Sequence, residues 1–360
     1  MEQKGKKMSN IEWEEQKAKF LKQNIFLIRF SYSHFGGLMI LKFLFIYFRL
    51  YTILFTHRIS HIHTWCTPAG AIGYFLSIMS GKKLILDSFE PHAEPMLESG
   101  TWSKGGLKFN LLFWLEKKQV QKASHVITCV ASMKDYIKDK YNIELKTTHA
   151  KPACVNFDLF DVNNIDNEKL IQKYNLKDKV VGVYAGKFGG SYLKEEVFQF
   201  LKVAEDYWGK DKFRFIILSN HTNVFIQNLI IDADINQNTI IHLFVSHNEV
   251  PKYLSLANFG ITPFVPVPSK RYGSPIKNAE YWAMELPIII TKNISDDSDI
   301  IDNNNIGYVL KELTTNEYNK GCIHIDDLLF KTEVKDKIRE VAAKYRNFEI
   351  AENIYEKIYA

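Results

Sequence analysis

The sequence predicts an α/β protein whose strands run parallel in two successive sheets. Three observations lead there. At 360 residues the chain is long enough for two domains with cores of their own. The stretch from Phe264 to Thr291, FVPVPSKRYGSPIKNAEYWAMELPIIIT, leaves an apolar strand, crosses a Pro/Ser/Gly loop, then reads as a helix and a second strand from Ile288. Strand, loop, helix and strand make one right-handed βαβ unit of a parallel sheet. The same alternation starts at Val180, where VVGVYAGKFGG reads as a buried strand feeding a glycine-rich loop.

Composition is that of a globular chain, 46% hydrophobic and 24% charged. Cys66, Cys129, Cys154 and Cys322 are widely spaced and form no CxxC pair, so neither a disulfide framework nor a zinc site is expected. The net charge of +5 is unevenly spread. Residues 1–150 hold 21 Lys and Arg against 12 Asp and Glu, and the remainder 25 against 29. A basic first part suggests an anionic partner, a membrane surface or a phosphorylated acceptor. No nucleic-acid-binding motif accompanies the charge, so nucleic acid is not expected.

Taken in order, residues 1–23 are polar and Lys-rich and lack the apolar region of a signal peptide. Asn24 to Phe30 (NIFLIRF) reads as a first buried strand. The loop after it ends in Gly36 and Gly37, where a backbone can approach a ligand closely. Leu38 to Phe55 is apolar but contains Lys42 and Arg49. Each would cost about 2.5–3.5 kcal/mol at a bilayer centre, so a helix of the fold is expected, not a membrane span. His61 to Trp65 and Lys83 to Asp87 read as strands. The second opens into SFEPHAE, which gathers Asp87, Glu90, His92 and Glu94 at a strand's carboxyl end, where α/β sheets bind ligands.

Lys104 to Lys122 reads as an amphipathic helix with Leu107, Leu111, Trp114 and Leu115 along one side. A core-facing helix is the default for that pattern, and a membrane-surface helix is the alternative. In the second half, Lys187 in the loop Gly186–Gly190 can neutralise a diphosphate as a point charge. The helix after Gly273 is expected to hold Pro275 in its first turn. Its first N–H groups, from Ser274 to Lys277, lie at the positive end of a helix dipole and suit a phosphate. Glu280, further in, would repel that phosphate but can accept hydrogen bonds from ribose hydroxyls.

SPIKNAEYWAMELPIII resembles the donor-site helix of family 4 retaining glycosyltransferases of the GT-B fold, where S-P-x-K-x-x-E-Y-x-A-x-x-x-P-x-(apolar) recurs. The resemblance implies a GT-B architecture, two Rossmann-like domains with parallel sheets facing across a cleft. Residues 1–158 would form the acceptor-side domain and 159–340 the nucleotide-sugar domain, with 341–360 a terminal helix crossing back. It also implies that Glu280 holds the donor's ribose, and that the amides around Ser274, Pro275, Ile276 and Lys277 hold its diphosphate. Lys187, with Gly186 and Tyr192 of the same loop, would meet the phosphates, as would Gly36 and Gly37 across the cleft. Phe244 and Val245 would meet the nucleobase, and Asp87, Glu90 and His92 the acceptor. The family often carries a second glutamate eight positions before Glu280; here that position is Tyr272, a departure that bears on the sugar contacts.

The implied function is transfer of a sugar from a UDP- or GDP-sugar to a hydroxyl of a glycan or lipid-linked glycan in surface polysaccharide synthesis. His92, Lys187 and Glu280 are the residues expected to carry it. Configuration would be retained, with neither a metal nor a cofactor, by a cytoplasmic enzyme peripheral on the inner face of the membrane. Two alternatives stay open: a nucleotide-sugar epimerase on the same fold, and a catalytically silent nucleotide-sugar-binding subunit.

Overall fold

The computed structural model describes residues 8–30, 37–145 and 147–360, the side chains of 37–43 excepted. They fall into two compact units that meet in sequence at Ser60 and His61.

In the first unit a helix, Asn10–Leu21, starts at a reciprocal capping box between Ser9 and Glu12. The first strand expected at Asn24–Phe30 is not formed: residues 25–30 are irregular, with Ile25, Phe26 and Ile28 exposed. The start of the stretch is used to close the helix before it. Asn24 adopts φ 59°, and the Asn24 and Ile25 amides donate to the carbonyls of Leu21 and Phe20. Further along, Phe26 faces His57 at 6.2 Å and Arg49 lies over the Phe30 ring at 5.3 Å. The expected apolar helix spans Gly37–Thr56. Gly37 opens it, and Gly36 lies outside the described residues. Among the described residues no helix is long and apolar enough to cross a membrane.

The second unit carries two all-parallel sheets. The first contains β1 (His61–Trp65), β2 (Lys83–Phe89), β3 (His125–Thr128) and β4 (Thr148–Ala150), in that spatial order. The second contains β5 (Val180–Ala185), β6 (Phe213–Leu218), β7 (Ile240–Leu243), β8 (Phe259–Thr262), β9 (Ile288–Thr291) and β10 (Gly307–Leu310). Its order is β10-β9-β8-β5-β6-β7. The order therefore reverses between β5 and β8, at the pairing of Val183 with Gly260. In open α/β sheets that reversal opens a crevice beyond the carboxyl ends of the strands.

Close packing fixes what lies beyond the reversal. Tyr281, on the helix Ile276–Ala283, lays its ring against Gly260, where an added Cβ would sit 2.6 Å from it. Its hydroxyl accepts the Ala185 N–H at 2.9 Å, so one buried tyrosine ties the helix to both central strands. Arg346 and Asn278 converge on the buried carboxylate of Asp297, and Thr262 donates to Asn278.

The helix Leu107–Lys122 turns opposite to the default expectation. Leu107, Leu111 and Trp114 are exposed, while Glu116, Gln119 and Val120 are buried. Glu116 is inside because it has work there: its carboxylate accepts the His92 and Ala93 amides and the Tyr141 hydroxyl.

The last helix, Glu349–Tyr359, returns to the first sheet, where Ile354 and Ile358 pack on Ile85 and Ile127. A polar hub fastens it. The β2–β3 register slips between Leu86 and Phe89, Ser88 takes φ 50°, and Asp87 is 1% exposed. Its carboxylate meets Lys151 Nζ at 2.7 Å, His63 Nε2 at 3.0 Å and the Tyr355 hydroxyl at 2.6 Å. Because a carboxylate only accepts, His63 Nε2 carries a proton, and His63 Nδ1 lies 2.5 Å from the Tyr359 hydroxyl.

Burial pushes the Asp87 carboxyl up, but hydrogen bonds from His63, Lys151 and Tyr355 outweigh it and bring it down to about 2. A carboxylate depressed in the folded state stabilises the fold above its unfolded pKa, and that contribution fades as pH falls through the folded one. Asp87→Asn, which leaves Lys151 without its ion pair, should cost about 3–5 kcal/mol near neutral pH. Urea unfolding should show the gap between the two proteins narrowing from pH 4 to pH 2; a gap independent of pH would refute the role given to Asp87.

Candidate active site

Two loops rise from the reversal point. The one after β5 runs from Gly186 through Gly189 and Gly190, both at positive φ (82° and 66°), to Tyr192. The one after β8 runs to Gly273 and then into the helix Ile276–Ala283. An antiparallel bridge joins Tyr192 to Phe264, and their rings lie 4.5 Å apart. Pro275 is the residue before the first turn, one position earlier than expected, with φ −69° and ψ 111°.

Lys277 sits where these pieces meet. It is 7% exposed, its Nζ donates to the Tyr192 hydroxyl at 3.0 Å and lies 4.1 Å from the centre of that ring. Phe264 and Tyr184 stand at 5.5 and 5.6 Å. Among the described residues no carboxylate lies within ion-pair reach of it. An amino group surrounded by aromatic faces, beside the first amides of a helix, is an arrangement that suits an anion.

Seven of the expected residues line one cleft of ≈ 340 Å³: Glu90, His92, Tyr192, Ser274, Pro275, Ile276 and Lys277. The first four of these come from three different loops. The Ser274 hydroxyl accepts the Ala153 N–H at 3.0 Å. His92 holds its Nδ1 at 3.0 Å from the Glu90 carbonyl. Since a carbonyl only accepts, Nδ1 carries a proton. Burial pushes the Glu90 carboxyl up, while His92 and Lys270 pull it down.

Other expected residues stand elsewhere. Asp87 is committed to the hub described above and does not line the cleft. Gly186 gives its amide to the Leu218 carbonyl, and Lys187 is exposed, its carbonyl held by the Tyr184 hydroxyl at 2.6 Å. Phe244, beyond edge strand β7, is 68% exposed, with Val245 beside it. Tyr272 turns to Tyr136, ring centres 4.7 Å apart, and so packs toward the first sheet's helices. Glu280 is buried but not in the cleft lining; its carboxylate meets His247 Nε2 at 3.0 Å. Burial pushes the Glu280 carboxyl up, and His247 and Lys277 act against that.

Three residues escaped the sequence reading. His247 follows β7 in a turn capped by Ser246 and Glu249, and nothing in SHNE points to Glu280. His221 accepts the Phe188 amide at 3.0 Å and so pins the loop after β5 from below. Lys270 brings a second amino group to the cleft, 3.0 Å from the Ser191 hydroxyl. Its signal was present in the KR pair of the loop, of which Arg271 is taken by Asp299. Among the described residues no group of three or more His, Cys, Asp or Glu is arranged to hold a metal ion, and all four cysteines are free.

The arrangement can bind an anion at Lys277 and Lys270 and present a carboxyl and an imidazole opposite it. Known proteins share the fold of the two sheets. Residues 166–344 match the family model described as glycosyl transferases group 1. No curated protein sequence matches the chain. Among solved structures, sucrose-phosphate synthase from Thermosynechococcus elongatus is similar over 93% of this chain and 83% of its own, at 14% identity and a TM-score of 0.70. Anabaena Alr3699/HepE in complex with UDP-glucose is similar over 95% and 88%, at 11% identity and TM-score 0.69. WaaG, a glycosyltransferase involved in lipopolysaccharide biosynthesis, is similar over 91% and 97%, at 12% identity and TM-score 0.62. At such identities the likeness is one of fold: the chain has the two-sheet α/β architecture of these glycosyltransferase structures, and just under half of it, residues 166–344, matches the group 1 glycosyl transferase model.

Proposed function

We propose that the protein transfers a sugar from a UDP- or GDP-sugar to a hydroxyl of a glycan or lipid-linked glycan, with retention of configuration and without a metal. The observation that carries this is Lys277, buried at the start of a helix with no carboxylate in ion-pair reach among the described residues, across a cleft from Glu90 and His92. The Anabaena structure holds UDP-glucose, and WaaG acts in lipopolysaccharide biosynthesis; both support a nucleotide-sugar donor and a surface glycan as product.

In this reading the donor's diphosphate lies against Lys277, Lys270 and the first-turn amides, with Lys187 at the rim. The bond from the sugar's anomeric carbon to the diphosphate breaks, and a bond to the acceptor oxygen forms on the same face. The acceptor proton passes to the donor's own phosphate oxygen. Charge builds on the leaving diphosphate, and fixed cations stabilise it without having to reorganise. His92 Nε2 accepts a hydrogen bond from the acceptor hydroxyl and orients it. Glu280 takes the ribose hydroxyls, for which His247 must give up its place.

The exposed apolar side of Leu107–Lys122 has Leu107, Leu111 and Trp114 outward beside the exposed Lys104 and Lys108. This supports docking on an anionic membrane at the cytoplasmic face, where each lysine contributes about 1 kcal/mol and salt screens it.

Three outcomes are expected. Calorimetric titration with UDP should find Lys277→Met and Glu280→Gln each weakened about tenfold, and Glu285→Gln unchanged; equal affinities in all would remove the donor site from this helix. With labelled donor and product analysis, His92→Ala should lose about a hundredfold in turnover while its UDP affinity is kept; lost UDP affinity would move His92 to the donor side. Liposome flotation should need anionic lipid, weaken with salt and drop in Trp114→Glu; binding to neutral vesicles alone would exclude the membrane surface proposed.

A further inference from the structure

The face of the first sheet that the terminal helix covers is rich in histidine. Side chains alternate along a strand, and partnered residues of parallel neighbours point the same way. Ile85 and Ile127 pack on Ile354 and Ile358 of the helix. In register with them stand His63 on β1 and His125 on β3, both partnered with Ile85, and His149 on β4, partnered with Ile127. His61, two residues before His63, and its partner Lys83 on β2 extend the row. Four histidines and a lysine therefore lie on the side that receives Glu349–Tyr359.

His61 and His63 meet the helix directly. Their ring centres lie 5.7 and 6.0 Å from that of Tyr359, and His63 also has Asp87 beside it. His125 and His149 are placed differently. Their rings stack on one another, 5.8 Å apart with 23° between planes. Among the described residues, His125 Nδ1 and His149 Nε2 are buried and have no hydrogen-bond partner. A charged imidazole carries a proton on both nitrogens, so charging either ring leaves a buried N–H without an acceptor.

The surrounding charges have the wrong sign as well. Lys83 and His61 bear on His125, and His125 and Lys357 bear on His149. Glu352 and Glu356 of the helix are exposed. Burial first, and these cations second, hold both rings below the ordinary histidine range. A base held low in the fold costs nothing above its unfolded pKa of about 6.5, and costs stability as pH falls below it, because the unfolded ring takes its proton first.

We propose that this pair makes the seat of the terminal helix pH-sensitive: uncharged, the rings let Glu349–Tyr359 lie on the sheet, and charged, they expel it. With the helix goes the Tyr355 hydroxyl that donates to Asp87, and Ile85 and Ile127 are bared. The clasp does not depend on what the cleft binds.

Hydrogen exchange read by mass spectrometry at pH 7.5 and 5.5 tests it on the full chain. Protection of residues 349–359, corrected for the intrinsic pH dependence of exchange, should fall about tenfold in the wild type, while β5 and β8 keep theirs. His125→Phe/His149→Phe keeps two stacked rings without their titration and should show no such fall. Lys357→Gln removes one cation at an exposed position and should show a smaller fall than the wild type; it decides the matter if the double variant does not fold. Equal protection at both pH values in the wild type, an equal fall in the double variant, an undiminished fall in Lys357→Gln, or a fall shared by β5 and β8 would overturn the proposal.

Discussion

The ion pair between Asp87 and Lys151 is the contact on which the first half of the molecule turns. Neither group tolerates burial alone, and together they remain costly unless every other lone pair and proton finds a partner. Here each one does. His63 reaches in from β1, Tyr355 from the terminal helix, and Ser88 from the bulge in β2. The pair therefore specifies which helix covers the sheet and where β2 must break its register. It also sets Lys151 against the ring of Trp65.

The second half uses the same device at another place. Arg346 and Asp297 are fully enclosed, and Asn278 and Thr262 complete the carboxylate's surroundings. Asn278 lies one residue after Lys277, so this buried network holds the helix start that aims Lys277 into the cleft. Lys277 itself differs in kind. Its neighbours are rings and a hydroxyl, which hold its stem without discharging it.

How much of this could be read from the residues depends on how local the cause is. The strands of the second sheet were legible because they are apolar runs, several of them bounded by Gly or Pro, and the loop into Ile276–Ala283 because proline and glycine punctuate it. Lys277, Tyr192, Glu90 and His92 were legible as neighbours of strand ends. Asn24–Phe30 misled because an apolar run says nothing about whether a second strand is available to pair with it. Leu107–Lys122 misled because periodicity cannot tell which side a carboxylate will be drawn to when three donors wait in the core. His247 was invisible because its partner, Glu280, is thirty-three positions away on another element. Asp87 looked like a ligand-binding acid for the same reason, since its partners at 63, 151 and 355 are remote in sequence.

The return of the terminal helix has a consequence for how the protein is made. Ile85 and Ile127 of the first sheet are covered by Ile354 and Ile358, residues that leave the ribosome about 200 positions after β4. At ordinary translation rates, roughly 5–20 residues per second, the first sheet waits about 10–40 s with that face bare. The second sheet, whose core is built from its own helices, has no such delay. Order of synthesis and order of completion are therefore inverted: the half that is born first is the half that is finished last.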